Sequence, residues 1–283
     1  WCNLWQMLRD NSLSPIWFLD LVEKQSEIEL NKTVLDSHML QKATIIKDIY
    51  LSDTNRLIWS NRLFELSIKN LNKAIDDQSQ ISWFNLLLSC SESEQTNSFI
   101  YSILNKEIIF KNIIIDQDKR WRIITVLASN NFCDSTKLIQ EEEKLDSSDI
   151  GRKSAFKARV SFPDLNSKLK YWNMFILDNQ EHSSSYLRYG MQGFLWNSQR
   201  DLLKDFSDRY FNDLENIFIT KDVHYASDYS KLLFPSIMNL KTTSEKTEFF
   251  IRDNKNLTKL GTKYLKENND NLNRRIPIIL KQQ

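Results

Sequence analysis

WCNLWQMLRDNSLSPIWFLDLV, residues 1–22, is the stretch that decides the fold class. Trp1, Cys2, Leu4, Trp5 and Leu8 stand at helical spacing, which puts one large apolar stripe on a single helix face. The polar run Arg9-Asp10-Asn11-Ser12 breaks that helix. Ser14 and Pro15 then restart one: a serine oxygen accepts from an orphan backbone N–H, and proline is pre-set for the first helical position. The reading is an αα-hairpin whose apolar face needs a neighbour. Neither a capping residue nor an initiator methionine precedes the first helix, so the spacing predicts that the chain continues upstream.

Composition extends the helical reading to the whole chain. Among 283 residues there are 4 glycines and 4 prolines, where glycine alone would ordinarily account for about 7%. Sheets, barrels and phosphate-binding loops need glycine at tight turns and bulges, so an all-α chain is expected. A chain of this length buries roughly 75% of its unfolded surface, enough for one large domain or two small ones. The 38 basic and 37 acidic residues leave a formal charge of +1, which gives no footprint for nucleic acid or an anionic membrane. The pair Arg274-Arg275 reads as a solvated helix face. Cys2, Cys90 and Cys133 are odd in number and far apart, the pattern of reduced thiols in a cytoplasm. No apolar run reaches the ~18 residues of a membrane span. Asn31-Lys32-Thr33 and Asn256-Leu257-Thr258 match a glycosylation acceptor, taken here as chance in an asparagine-rich chain.

Apolar periodicity predicts helices over 14–24, 31–50, a segment after the turn 51–53, 83–89, 99–104, 119–128, 134–145, 149–160, 164–177, 184–194, 200–218, 223–234, 243–252 and 257–280. The β-branched run 107–116 reads as a buried extended connector, because a lone strand has no partner. The stops are short polar turns, with Gly151 and Gly193 near helix ends, and no linker separates domains. Helix–turn–helix units of roughly 30 to 45 residues fit a HEAT-like α-solenoid of antiparallel pairs, one helical-repeat domain over 1–283. Trp5, Trp17, Trp59, Trp83, Trp121, Trp172 and Trp196 are expected to fill its successive layers.

Motifs for chemistry are missing. Zinc held on a helix needs two histidines four apart with a glutamate beside the first; His38, His182 and His224 are isolated and read as surface or helix-terminal residues. So few glycines leave no nucleophile elbow, Walker loop or dinucleotide fingerprint. Cys133, followed by Asp134 and Ser135, has no histidine nearby in sequence and reads as small apolar filler. Asp116 and Asp118 lack the downstream oxygens and glycine of a calcium loop, and Asp118 reads as a helix N-cap. Glu141-Glu142-Glu143 reads as an exposed face. No catalytic, cofactor-binding or metal-ligating residue is assigned.

Several stretches share their pattern with one family. Met7, Arg9, Asp10 and Leu13 match "M-x-R-D-x-x-L". Asp116-Gln-Asp118-Lys-Arg120-Trp121 is similar to "D-x-D-L-R-W", with Lys119 in the leucine's place. Gly151, Ala155, Arg159, Pro163, Lys168 and Trp172 fit G-x₃-A-x₃-R-x₃-P-x₄-K-x₃-W. Gly193-Phe194 with Gln199-Arg200-Asp201-Leu202-Leu203 looks like "G-F…Q-R-E-L-L", and Leu272-Asn273-Arg274-Arg275 resembles a closing "A-L-R-R". In order and over nearly the whole chain, these resemble the helical C-terminal domain of aminopeptidase N-type zinc metallopeptidases, the gluzincin aminopeptidases.

That resemblance implies a curved bowl laid over a zinc domain, closing a chamber and limiting the peptides admitted. It implies the C-terminal part of a longer cytoplasmic enzyme that removes N-terminal residues from peptides. The zinc motif and the motif holding the substrate's amino terminus would then lie upstream, so zinc belongs to the preceding part. The partners it implies are the upstream catalytic domain and peptides, without nucleic acid or membrane. Within the family pattern Trp121 and Trp172 are layer fillers, Pro163 starts a helix, and Gly193 allows a turn or a close helix approach. Arg120 and Arg159 are either buried partners of carboxylates or substrate-facing. No motif assigns substrate contacts, and the basic residues Arg120, Arg159, Lys168 and Arg188 are the candidates. The rival reading is a free-standing α-solenoid that binds a protein partner along its concave face.

Overall fold

A computed structural model describes all residues except Asn112, 178–180, 255–256 and Gln283, which places Asn256 of the second acceptor pattern outside the described residues. Among the described residues there are sixteen α-helices and no strand: α1 (Cys2–Arg9), α2 (Pro15–Gln25), α3 (Gln41–Ile49), α4 (Asp53–Leu71), α5 (Asp77–Ser89), α6 (Glu94–Leu104), α7 (Gln117–Ser129), α8 (Ser135–Leu145), α9 (Asp149–Val160), α10 (Leu165–Ile176), α11 (Ser184–Gln192), α12 (Arg200–Leu203), α13 (Phe206–Thr220), α14 (Val223–Leu232), α15 (Leu240–Asp253) and α16 (Lys259–Leu280). The all-α expectation holds. The chain divides into two compact units, residues 1–123 with 274–283, and residues 124–273. No described helix is long and apolar enough to cross a membrane.

In the first unit the helix starts follow from their caps. Ser14 Oγ accepts from Trp17 N with Pro15 behind it, and Asp76 starts α5 by accepting from Ser79 N at 3.0 Å. Ser93 and Thr96 form a reciprocal capping box on α6, which satisfies two orphan donors at once. These caps make α5 and α6 start earlier than apolar periodicity alone predicts. The helix expected over 31–50 runs from 32 to 49 and contains a π-helical turn, Val34–Leu40, ahead of α3. Asp36 in that turn accepts from Ser82 Oγ and from Gln41 Nε2, both at 2.7 Å.

Trp59, Leu63 and Phe64 of α4 are buried, as are Trp83, Phe84 and Leu87 of α5, and the two helices pack closely. Trp17, expected as layer filler, is 47% exposed. The 107–116 connector is only partly buried: Phe110 and Ile113 are covered, while Ile109 and Ile114 are exposed. Its end caps α7, but through Asp116, which accepts from Lys119 N at 3.0 Å, rather than through Asp118.

Residues 274–282 complete this unit. Arg275 is 3% exposed, not on a solvated face, because its Nε donates to Ile49 O at 2.7 Å. Gln282 donates through Nε2 to Tyr50 O at 2.7 Å and accepts at Oε1 from Ser52 N at 3.1 Å. Arg274 pairs with Asp10 at 2.7 Å, joining the first and last of the sequence patterns above.

The second unit is built around an aromatic core in which Trp172, Phe175, Phe194, Phe206, Tyr210 and Tyr229 are all buried. The Trp172 indole donates to Asp213 Oδ2 at 2.9 Å, so its one polar atom is satisfied, as burial of tryptophan requires. α11 packs along α9 more extensively than along α10, its neighbour in sequence. Two glycines permit that approach. A methyl on Gly190 would overlap the Phe156 ring, and one on Gly193 would overlap the Lys157 carbonyl.

The helix expected over 200–218 is interrupted after α12. Just before it, Gln199 is buried and its Nε2 donates to Ser129 O and to Ser161 O, both at 2.8 Å, tying the ends of α7 and α9 together. The buried residues of α15 are Thr243, Ser244 and Thr247, a hydroxyl stripe rather than an apolar one. Glu142 of the expected acidic face is 2% exposed.

Candidate functional site

Arg159, one of the four basic candidates, lies in the last turn of α9, where helices α8 to α11 bring polar and aromatic groups together. Its guanidinium pairs with the Glu143 carboxylate of α8, and both remain partly open to solvent, at 34% and 27% exposure. One turn earlier on α9, Phe156 is buried and acts as a floor. Tyr186 of α11 stacks on it at 4.3 Å between centroids, and Tyr171 of α10 meets it edge-on at 5.5 Å. His182 stacks in turn on Tyr186 at 4.9 Å.

The phenols lie within reach of the Arg159 charge. Burial pushes the Tyr186 and Tyr171 phenols above their ordinary range, and the Arg159 charge pulls both back down. At neutral pH both therefore remain hydroxyl donors. The guanidinium and the two phenols offer donors to carbonyls or a carboxylate, while the Glu143 carboxylate only accepts. Because Glu143 already occupies one side of Arg159, an incoming anion competes with it.

The other three candidates sit differently. Arg188 on α11 is 54% exposed and pairs with Asp228 of α14 at 3.5 Å. Arg120 on α7, in the first unit, donates to Leu104 O at the end of α6, 3.1 Å away. Lys168 on α10 is 0% exposed, and its ammonium nitrogen donates to Val160 O at 2.9 Å and to Phe194 O at 2.7 Å. Sequence reading did not single out Tyr171 or Tyr186, and it took His182 as a surface or helix-terminal residue and Glu143 as part of an exposed face. They come from three helices and the turn before α11 and share no local motif; only the fold assembles them.

A second polar cluster lies in the first unit. Lys47, 1% exposed, contacts Asp48 at 2.6 Å, Glu92 at 3.0 Å and Ser89 O at 2.6 Å. Arg56 also pairs with Glu92, which accepts further from Ser60 Oγ at 3.4 Å. Burial opposes the Lys47 charge, but Asp48, Cys90 and Glu92 outweigh it and hold the ammonium above its usual range. Burial opposes the Glu92 charge as well, and Lys47 and Arg56 hold that carboxyl low. Each charge has a partner, so the cluster is a structural tie between α3, α4 and the end of α5.

Cys90 beside it is pushed by burial to about 11 and stays protonated, which makes it a poor nucleophile. Cys133 is exposed rather than packed as filler, and partial desolvation raises its thiol. All three cysteines are free.

Among the described residues, no group of three His, Cys, Asp or Glu side chains gathers so as to hold a metal ion.

Residues 1–274 match the family model of the ERAP1-like C-terminal domain. The chain is also similar to aminopeptidase N of Streptomyces lividans, at 22% identity over 256 residues. That match covers 89% of this chain and 29% of the relative, so the chain spans less than a third of that protein's length. With the family pattern running through nearly all of its helices, the chain belongs to the ERAP1-like C-terminal domain family.

Proposed function

We propose that this chain is the C-terminal domain of a zinc aminopeptidase that removes N-terminal residues from peptides, and that it closes the chamber over a catalytic region lying upstream. The observation that carries the reading is the family match over residues 1–274, supported by the similarity to an aminopeptidase N. Fold alone would not assign the activity. Zinc, with the groups that hold it, belongs to the catalytic part; this chain contributes shape and polar contacts. In this reading the chain limits which substrates reach the catalytic part, and the Arg159–Tyr171–Tyr186 cluster receives the part of a peptide distant from the cleaved bond. The three free thiols fit a cytoplasmic setting.

The test compares the longer protein carrying this chain with a version that ends before Trp1. Both are assayed on a leucine arylamide and on a series of peptides of increasing length. The intact protein is expected to discriminate among lengths, and the truncated one to lose that discrimination while still cleaving the small substrate. An intact protein without aminopeptidase activity would refute the reading; so would identical length profiles.

A further inference from the structure

We propose that Lys168 is a positioning residue for peptide binding: its buried ammonium fastens together the three helices that supply the Arg159–Tyr171–Tyr186 cluster. The proposal rests on the reading of that cluster as the peptide-holding site. Lys168 itself is 0% exposed, so it reaches no substrate directly. Its nitrogen donates to Val160 O at 2.9 Å, on the residue that follows Arg159 and ends α9. It donates also to Phe194 O at 2.7 Å, just beyond the end of α11. The third N–H of an ammonium meets the Phe194 ring, whose centroid is 4.9 Å from the nitrogen.

Three acceptors therefore serve three N–H groups. The last carbonyls of a helix have no partner within it, and the negative end of the α9 dipole favours a cation there. Burial opposes the charge, and these contacts act against that opposition. Among the described residues no carboxylate pairs with Lys168. The cation thus joins backbone segments rather than answering an acidic side chain.

The segments it joins are the ones that carry the cluster. α9 holds Phe156 and Arg159 near its end, and α10 places Tyr171 one turn beyond Lys168. α11 brings Tyr186 onto the Phe156 ring at 4.3 Å. Ser161, next in the chain after Val160, gives its carbonyl to Gln199 instead. The polar link from the α9 end to α10 and to the segment after α11 runs through Lys168. A binding constellation needs its groups held within about 0.5 Å. A slack α9 end moves Arg159 relative to both phenols.

The test uses the longer protein that carries this chain. It reads the ratio of KM for a long peptide to KM for a leucine arylamide, which has no distal part. Lys168→Met removes the donors and strands no opposite charge, and it is expected to raise the ratio about three- to tenfold. Because Lys168 acts through Arg159, the double variant with Arg159→Ala should exceed Arg159→Ala alone by less than about twofold. Tyr210→Phe removes a buried hydrogen bond to Ser230 O in the same unit and should leave the ratio as it is, which separates positioning from general loosening. A native ratio in Lys168→Met, additive effects in the double variant, or an equal rise in Tyr210→Phe would overturn the proposal. A native ratio in Arg159→Ala refutes the peptide-holding role of the cluster, and the positioning role with it. A raised ratio there beside a native one in Lys168→Met refutes the positioning role alone. Should Lys168→Met not fold, Lys168→Gln, which keeps two N–H groups on a shorter stem, is read in its place against the same outcomes.

Discussion

Lys47 Nζ lies 3.0 Å from Glu92 Oε1, forty-five residues away in sequence, and this contact fixes α3 to the end of α5. A buried ion pair adds little over an apolar replacement, but removing one partner strands the other charge. Glu92→Gln leaves the Lys47 and Arg56 cations facing a neutral amide. The expected loss is about 3 kcal/mol in urea unfolding, and a loss below the scatter of the method would show the network to be solvated.

The same carboxylate gives a pH dependence. Glu92 is held low by Lys47 and Arg56 against its burial. Its contribution is therefore present above the unfolded carboxyl value of about 4.3 and lost as pH falls through the lower folded value. Acid titration of stability should be shallower in Glu92→Gln than in the native chain. Equal slopes would assign acid unfolding to other carboxylates.

Gly190 meets Phe156 so closely that alanine has no room. Helix propensity favours alanine by about 1 kcal/mol, whereas overpacking costs about 1 to 3 kcal/mol. The overlap is with a core ring stacked on Tyr186, so the penalty wins and Gly190→Ala destabilises. Combining it with Phe156→Leu should recover part of the loss, as a non-additive pair in unfolding measurements.

Gln199→Leu removes the shared donor of the Ser129 and Ser161 carbonyls. Two buried acceptors left unpaired should cost about 2 kcal/mol or more. Gln199→Glu, which keeps the shape but offers no N–H when ionised, should lose at least as much. A neutral effect in both would mean that water replaces the amide.

For the proposed peptide contacts, Arg159→Ala in the longer protein should raise KM for peptides about tenfold while leaving kcat for a small arylamide unchanged, the pattern of lost ground-state binding. The partly exposed pair with Glu143 contributes about 0 to 1 kcal/mol to stability, so the melting temperature should barely move. A shift in kcat without one in KM would place Arg159 outside the peptide's path.

Much of the helix plan was legible because apolar periodicity is local, and Ser14 was legible as a cap because its acceptor role is set within three residues. The caps Asp76 and Ser93 were missed, so α5 and α6 were expected to start too late. Glycine scarcity carried the fold class, since the backbone has to turn somewhere. What was not legible depends on partners distant in sequence. Lys168 and Arg275 are polar letters whose burial follows from carbonyls supplied by other helices. Glu142 looks like its two acidic neighbours and differs only in which side of α8 it occupies. The widened turn at Val34–Leu40 has ordinary helix formers in it, and Asp36's contact with Ser82 has no local signature. The Arg159 cluster was legible in its arginine alone, through the family pattern.

Arg275 and Gln282 reach back to Ile49, Tyr50 and Ser52 across more than two hundred residues. A ribosome has therefore synthesised the whole of residues 124–273 before the first unit receives its last hydrogen bonds. Until then the Ile49, Tyr50 and Ser52 backbone groups lack their eventual partners, and α1 to α6 wait in an unfinished state. Nascent chains stalled before residue 275 should be open to protease near residue 50, while chains extended past 282 and clear of the exit tunnel should not. Non-local closure of this kind slows folding and lengthens exposure to aggregation.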